Sequence, residues 1–259
     1  MMEYNFNPAL AFALITKDWL TWAERTHAKK FILGLSGGKD SSVTAALAVK
    51  IFGSENVIGV FMPYGEANAE DEALVEGLCK DLNIDCYICN IGNACSNLYA
   101  NMGISPSKDT TINLPARVRM SMLYAYGQTL NARVLCTGNL SENIIGYATI
   151  YGDHAGAYSP LAQLTVQEVI QLGEWLGLES KYTRKIPDDG LCGETDEQKL
   201  GFTYAALDEY IRTGKYEDEN VRRKWYEMYE KNKFKLEIVN IPSPRMPWAN
   251  KFEIYEDVF

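Results

Sequence analysis

The sequence predicts one α/β domain, a doubly wound parallel sheet with additional helices in its C-terminal part. Short apolar runs alternate with stretches of helical periodicity through the first 138 of 259 residues. Those runs are almost continuously hydrophobic, as strands are when crossover helices cover both faces of a parallel sheet. No internal repeat, low-complexity tract or linker divides the chain, so residues 1–259 are expected to form a single domain.

The elements follow in order. From residue 7 to residue 27, Leu10, Leu14 and the stretch from Trp19 to Trp22 recur at helical spacing and predict an amphipathic helix. Phe31 to Leu35 is a first short strand, followed after "SGGKDSS" by a helical run from Ser41 to Phe52. "NVIGVFMP" is a second strand, Ala69 to Leu82 a helix, and Ile84 to Ile91 a third strand. After the polar loop "GISPSKDTT" a helix is expected near Asn113, with Pro115 in its first turn, where a missing N–H costs nothing. It ends near Asn131, before a fourth strand, "RVLCTG". Helices then dominate: Val166 to Leu176, Asp196 to Arg212 and Asp218 to Asn232, with a tail from about residue 236 that holds Pro242, Pro244 and Pro247.

Composition narrows the function classes. A formal charge of -9 and a pI near 4.9 provide no general basic field for a polyanion, so nucleic acid is not expected as a partner. No apolar run approaches the roughly 18 residues a membrane helix needs, and the N-terminus lacks a basic segment followed by a hydrophobic core. The expectation is a cytoplasmic protein with no membrane partner. Cys79, Cys86, Cys89, Cys95, Cys136 and Cys192 lie mostly in apolar segments, which fits a reducing compartment. Cys86 and Cys89 form a CxxC, but on an extended strand they point to opposite faces and suit neither a metal nor a redox pair.

The stretch "SGGKDSS" lies between the first strand and the second helix. It is not a Walker A loop: Leu33 stands where the first glycine belongs, and Asp40 rather than Ser or Thr follows Lys39. A turn with an N-cap would use Ser, Asp and Gly for local reasons alone. Two glycines, three hydroxyls, a lysine and an aspartate exceed that need, and they sit at the C-terminal edge of the sheet, where ligands bind. The glycines let the backbone approach an anion, exposed N–H groups and the helix dipole attract it, and Ser36, Ser41, Ser42 and Lys39 add donors. The collection suits a pyrophosphate group.

"SGGKDSS" resembles the SGGxDS signature of the PP-loop ATP pyrophosphatases, which hold the β and γ phosphates as a leaving pyrophosphate. Three further stretches, "NLPARVRMSMLY", "CTGNLSENIIGYATIYGD" and "DGLCGETDEQKLGFTYAALDEYI", are similar in order and spacing to the ammonia-dependent NAD synthetases. The resemblance covers most of residues 31–235 and implies a ligase. ATP adenylates the nicotinate carboxylate of deamido-NAD, ammonia then attacks, and AMP and pyrophosphate leave. It further implies a PP-loop at residues 34–42, with Gly34, Leu35, Ser36, Gly37, Gly38, Lys39, Asp40, Ser41, Ser42 and Thr137 at ATP. Lys39 and Asp40 are the implied catalytic residues, Asp40 and Glu142 the implied ligands of Mg2+, and Arg117, Asp153 and Lys233 the implied contacts of deamido-NAD.

Each assignment has a bland counterpart. Asp40 and Glu142 also read as helix-capping residues, Thr137 as a cap, and Lys233 as solvated surface among Lys231 and Lys235. Arg119 lies about 200° from Arg117 around a helix and reads as packing or an ion pair. The chain also departs from the family: Ile150 stands for a substrate lysine, Ala157 for an aspartate, Val166 for an ATP lysine, Asn232 for a histidine, and "PDDG" at 187–190 for "PTAD". The competing readings are a PP-loop tRNA-modifying ligase or thiolase, which the acidic balance opposes, and a nucleotide-binding module without turnover. Only about 30 residues precede the first PP-loop strand, so free ammonia rather than glutamine is the expected nitrogen donor. The resemblance also implies a homodimer, in which Trp19 and Trp22 either join the interface or fill the monomer's own core.

Overall fold

The computed structural model describes residues 5–66, 69–185, 196–238 and 241–248. Strand β1 (Lys30–Leu35) pairs in parallel with β2 (Val57–Phe61) on one side and β4 (Ala132–Val134) on the other. β2 pairs in parallel with β3 (Asp85–Ile88), giving the order β3-β2-β1-β4. The chain moves outward from β1 to β3 and then returns to lay β4 on the other side of β1. The reversal opens a crevice between the C-terminal ends of β1 and β4, the place where doubly wound sheets bind ligands.

The strands are apolar throughout because both faces are covered. Phe31, Leu33 and Leu35 face one core with α1 (Pro8–Thr26), α2 (Lys39–Phe52) and α7 (Val166–Trp175). Ile32, Ile58 and Val60 face the other with α4 (Gly92–Asn101) and α5 (Lys108–Thr129). Cys86 packs against the first core and Cys89 against the second, so the CxxC straddles the sheet as the strand period requires. A third cluster around Trp225 joins α6 (Leu140–Ile145), α10 (Tyr204–Thr213) and α11 (Glu219–Asn232). α3 (Ala69–Leu82) and the short helices α8 (Ser180–Thr183), α9 (Asp196–Leu200) and α12 (Phe234–Ile238) complete the described fold.

Several boundaries differ from the sequence reading. α2 begins at Lys39, two residues early, so the loop is shorter than expected. α5 begins at Lys108, where the Ser107 hydroxyl accepts the Thr110 N–H at 3.2 Å. Pro115 therefore lies inside the helix and not in its first turn. It leaves the Thr111 carbonyl without its helical partner, and the Tyr99 hydroxyl donates to that oxygen at 3.5 Å. Tyr99 comes from α4, a helix not anticipated because its Gly, Ser and Asn residues have weak helical propensity.

The expected helix from Asp196 to Arg212 is two helices, α9 and α10. Gly201 breaks them at φ 70°, and Thr203 caps the second. α12 occupies the start of the expected tail. β4 ends at Val134 because the ladder passes to an outer segment: Ala157 N–H donates to Val134 O and Cys136 N–H to Tyr158 O. Trp19 and Trp22 are buried against Tyr158, with ring centroids 5.0 and 5.1 Å away, so they fill the monomer's core. The "PDDG" segment, Cys192 and residues 249–259 lie outside the described residues.

Candidate active site

Two segments meet at the crevice, the loop after β1 and the turn after β4. Gly37 takes φ 75°, a conformation strained for any side chain, and swings the chain from the strand into α2. Gly38 is the N-cap with no side chain to close the helix end, so the first N–H groups of α2 face the crevice. The hydroxyls brace this turn. Ser41 Oγ and Ser42 Oγ both donate to Gly38 O, at 3.0 and 2.8 Å, and Ser36 Oγ accepts from Gly38 N at 3.2 Å. Ser42 is fully buried and spends its hydroxyl on the loop itself. Gly34 and Leu35 belong to β1, paired with Val60 and Phe61, and the Leu35 side chain is core. Those two residues offer the crevice backbone only.

Lys39 is buried, with its Nζ 3.0 Å from Asp40 Oδ2. The other Asp40 oxygen accepts the Asn139 side-chain N–H at 3.0 Å. Asn139 is fully buried and caps α6: its Oδ1 accepts the Glu142 N–H at 3.0 Å, and Glu142 Oε2 accepts the Asn139 N–H at 3.4 Å. One amide thus fixes both carboxylates across 99 residues of chain. Sequence reasoning missed Asn139; the available signal was the cap position in "NLSE", which foretold the α6 bond but not the one to Asp40.

Burial first and the Asp40 carboxylate second push Glu142 up to about 8, while Lys39 pulls the other way. A pair of carboxylates that resist joint ionisation is a site short of positive charge. Among the described residues no group of three or more His, Cys, Asp or Glu is placed to enclose a metal. Two carboxylates facing a phosphate cradle are nevertheless the donor set that suits Mg2+, which keeps waters and takes substrate phosphates as further ligands. Thr137 stands half-buried between the segments, just past the end of the ladder.

The remaining candidates lie beyond β4. Exposed Arg117 donates through Nε to Ile150 O at 3.2 Å. Asp153 Oδ1 accepts the Thr149 N–H at 2.7 Å, and its charge acts on Glu142, Arg119 and Lys235, which places it inside the same electrostatic neighbourhood. Lys233 Nζ pairs with Glu230 at 3.0 Å. Lys235 reaches inward, donating to Gly146 O and Ala148 O at 2.7 and 3.0 Å. Of the departures, Val166 is buried with its N–H on Ser141 Oγ, and Ala157 pairs with β4.

The comparisons with known proteins agree with this geometry. The family model described as NAD synthase matches residues 15–239. An NH(3)-dependent NAD(+) synthetase of Thermococcus kodakarensis is 41% identical over 190 residues, 73% of this chain and 74% of that protein. A structure of NMN synthetase from Francisella tularensis superposes with TM-score 0.82 at 31% identity, covering 89% of this chain and 96% of that one. The NH3-dependent NAD synthetase of Campylobacter jejuni superposes with TM-score 0.73 at 28% identity and the same coverage. A parallel sheet with a phosphate-type loop at its switch point, a bridged carboxylate pair beside it and a family match over most of the chain lead to one assignment: this chain belongs to the NAD synthase family.

Proposed function

We propose that the chain makes NAD from deamido-NAD, ATP and ammonia, with the site built around the Asp40–Asn139–Glu142 bridge. The bridge is the observation that carries the reading, because it binds the loop after β1 to the turn after β4 where a triphosphate and a carboxylate must meet. A nicotinate carboxylate oxygen attacks the α phosphorus, the α–β bridging bond breaks, and pyrophosphate leaves. Ammonia then adds to the carbonyl carbon, AMP departs with that oxygen, and the excess protons go to solvent.

The residues divide the work by position. N–H groups at the start of α2 and the Lys39 ammonium take up charge on the departing pyrophosphate. Asp40 and Glu142 would hold Mg2+, which when bound supplies charge neutralisation on the phosphates. Thr137 offers a hydroxyl beside the α phosphate. Arg117, Asp153 and Lys233 border the dinucleotide, and Lys235, whose Nζ reaches the Gly146 and Ala148 carbonyls, adds a further cation there. The acidic composition disfavours a nucleic-acid partner, and no described helix is long and apolar enough to cross a membrane.

A second reading concerns the acyl substrate. The TM-score of 0.82 to an NMN synthetase favours the same amidation performed on the mononucleotide. Purified protein with ATP, Mg2+ and ammonium should yield AMP and pyrophosphate; ADP and phosphate would sink the PP-loop chemistry. Running deamido-NAD and nicotinate mononucleotide side by side decides the substrate, and a kcat/KM favouring the mononucleotide establishes the second reading.

We place the proposed homodimer interface on another face than α1. Only Pro115, Val118 and Gly127 of the 22 residues of α5 are buried, and Ile88, Leu98, Met102, Ile104, Ile112 and Tyr124 expose apolar surface on β3, α4, α5 and the intervening loop. A second copy covering this face would bury it. Sedimentation at micromolar concentration should show a dimer that Leu98→Asp with Ile104→Asp converts to monomer. A wild-type monomer with full activity would remove the proposal.

A further inference from the structure

The pairing of arginines on α5 raises a question the reaction so far does not answer. Arg117 is exposed at the rim, whereas Arg119 runs under the C-terminal end of β2. Its Nε–H donates to Met62 O at 2.9 Å, one residue past the strand. Among the described residues its two Nη groups meet no acceptor and no carboxylate stands within ion-pair distance. Asp153 attracts it from farther away. The Cys95 thiol of α4 is also close enough to act on it, and burial disfavours the charged form of the guanidinium.

Arg119 is half-buried, and its Nη nitrogens are not among the buried polar atoms left without a partner, so the free end of the fork is open to solvent and to a ligand. Here one donor is anchored by backbone, which fixes the plane of the fork, and the two Nη groups, with no acceptor among the described residues, lie within reach of the Asp153 charge. A fixed planar fork fits a group with two oxygens, a carboxylate or a phosphate. The pyrophosphate end already has the α2 N–H groups and Lys39. The unserved anions of the reaction are the two groups that react, the α phosphate and the acyl carboxylate.

We propose that Arg119, anchored by Met62 O, is a substrate-binding residue whose Nη groups grip a carboxylate or phosphate oxygen pair at the reacting end of the bound substrates. The inference rests on the amidation reading above. It adds to the implied deamido-NAD contacts a second arginine, one that two-residue spacing on a helix assigns to packing or an ion pair.

The experiment compares wild type, Arg119→Gln and Arg119→Lys in the full chain. Dissociation constants are measured separately for a non-hydrolysable ATP analogue with Mg2+ and for deamido-NAD, with melting temperature recorded for each protein. Both variants should weaken one ligand by roughly ten- to a hundredfold, the effect of losing a charged hydrogen-bonded contact. Loss confined to the ATP analogue identifies the α phosphate as the anion, and loss confined to deamido-NAD identifies the carboxylate. Lysine keeps the charge but not the fork, so failure of Arg119→Lys to restore affinity supports two-oxygen recognition. Unchanged affinity for both ligands in a folded variant, whatever its melting temperature, would show that Arg119 only braces β2 against α5 and overturns the proposal. A wild type that binds both ligands yet forms no amide would instead refute the amidation reading and leave the affinity comparison intact.

Discussion

Asp40→Asn and Glu142→Gln are each expected to lower AMP formation by about 100- to 1000-fold, the scale set by removing one electrostatic stabiliser of a transition state. Both amides keep the shape of the site. Asparagine at 40 can still face the Asn139 side chain, and glutamine at 142 can still accept the Asn139 N–H, so the capping box survives. What disappears, on the proposed reading, is the charge that would hold a divalent cation against the triphosphate. Steady-state AMP release across a Mg2+ titration measures this, and equal activity in both variants would mean that the two carboxylates serve only as caps.

The same substitution should have the opposite sign on stability. Glu142 is shifted upward from 4.5 to about 8, so the folded state holds its proton more tightly than the unfolded state does. Its stabilising contribution is full below about 4.5, declines as pH rises, and is lost once pH passes about 8. Without metal, Glu142→Gln should therefore melt above wild type at pH 9, by roughly 2–4 °C per kcal/mol of repulsion removed. The gap should narrow as pH falls from 8 toward 4.5. Mg2+ with an ATP analogue should raise the wild-type melting temperature by more than that of the variant.

The second large effect lies behind the crevice. Arg212 Nε and Nη2 donate to the two oxygens of Glu168 at 2.7 Å, and Nη2 also donates to Gln163 O at 2.8 Å. Both side chains are almost wholly buried. Arg212→Met would leave a carboxylate buried without its cation, and a loss of about 3–5 kcal/mol is expected in denaturant unfolding. Glu168 also accepts the Thr165 N–H at 2.8 Å, so the second change that best restores stability is Glu168→Gln, which removes the charge and retains that bond. If Arg212→Met alone costs less than 1 kcal/mol, the pair is not holding α10 to α7.

This contact bears on the site through Ser141. The Ser141 hydroxyl donates to Asp208 of α10 at 2.5 Å and accepts the N–H of Val166 at the start of α7 at 3.2 Å. Burial pushes Asp208 up to about 6 despite these bonds. Ser141 precedes Glu142, so a slackened α7–α10 contact moves the carboxylate that the crevice needs.

The architecture and the reaction class were legible in the sequence because both depend on local chemistry. A strand buried on two faces must be apolar along its whole length, and an anion cradle must combine glycines with donors at a strand–helix junction. That is why Phe31 to Leu35 and "SGGKDSS" could be placed without coordinates. Helix boundaries were less legible where a distant group decides them: Pro115 is tolerated inside α5 with Tyr99 of another helix on the carbonyl it frees, and α9 parts from α10 at a single glycine.

The site shows the same division. Asp40 and Glu142 could be nominated from sequence as acids at strand ends, since residue type and edge position are properties of the chain itself. That one buried amide, Asn139, binds them together is a fact of folding, because Asn139 lies 99 residues from Asp40 and no period or spacing links them. The lysines make the point in reverse. Lys233 and Lys235 are equivalent in a local reading, yet one pairs with Glu230 on its own helix and the other crosses to the carbonyls of Gly146 and Ala148. The sequence by itself determined which groups the protein has for its chemistry and on which sheet edge they stand. Only the tertiary structure decided which of them meet, because hydrogen bonds and buried charges are settled by distances between segments that are remote along the chain.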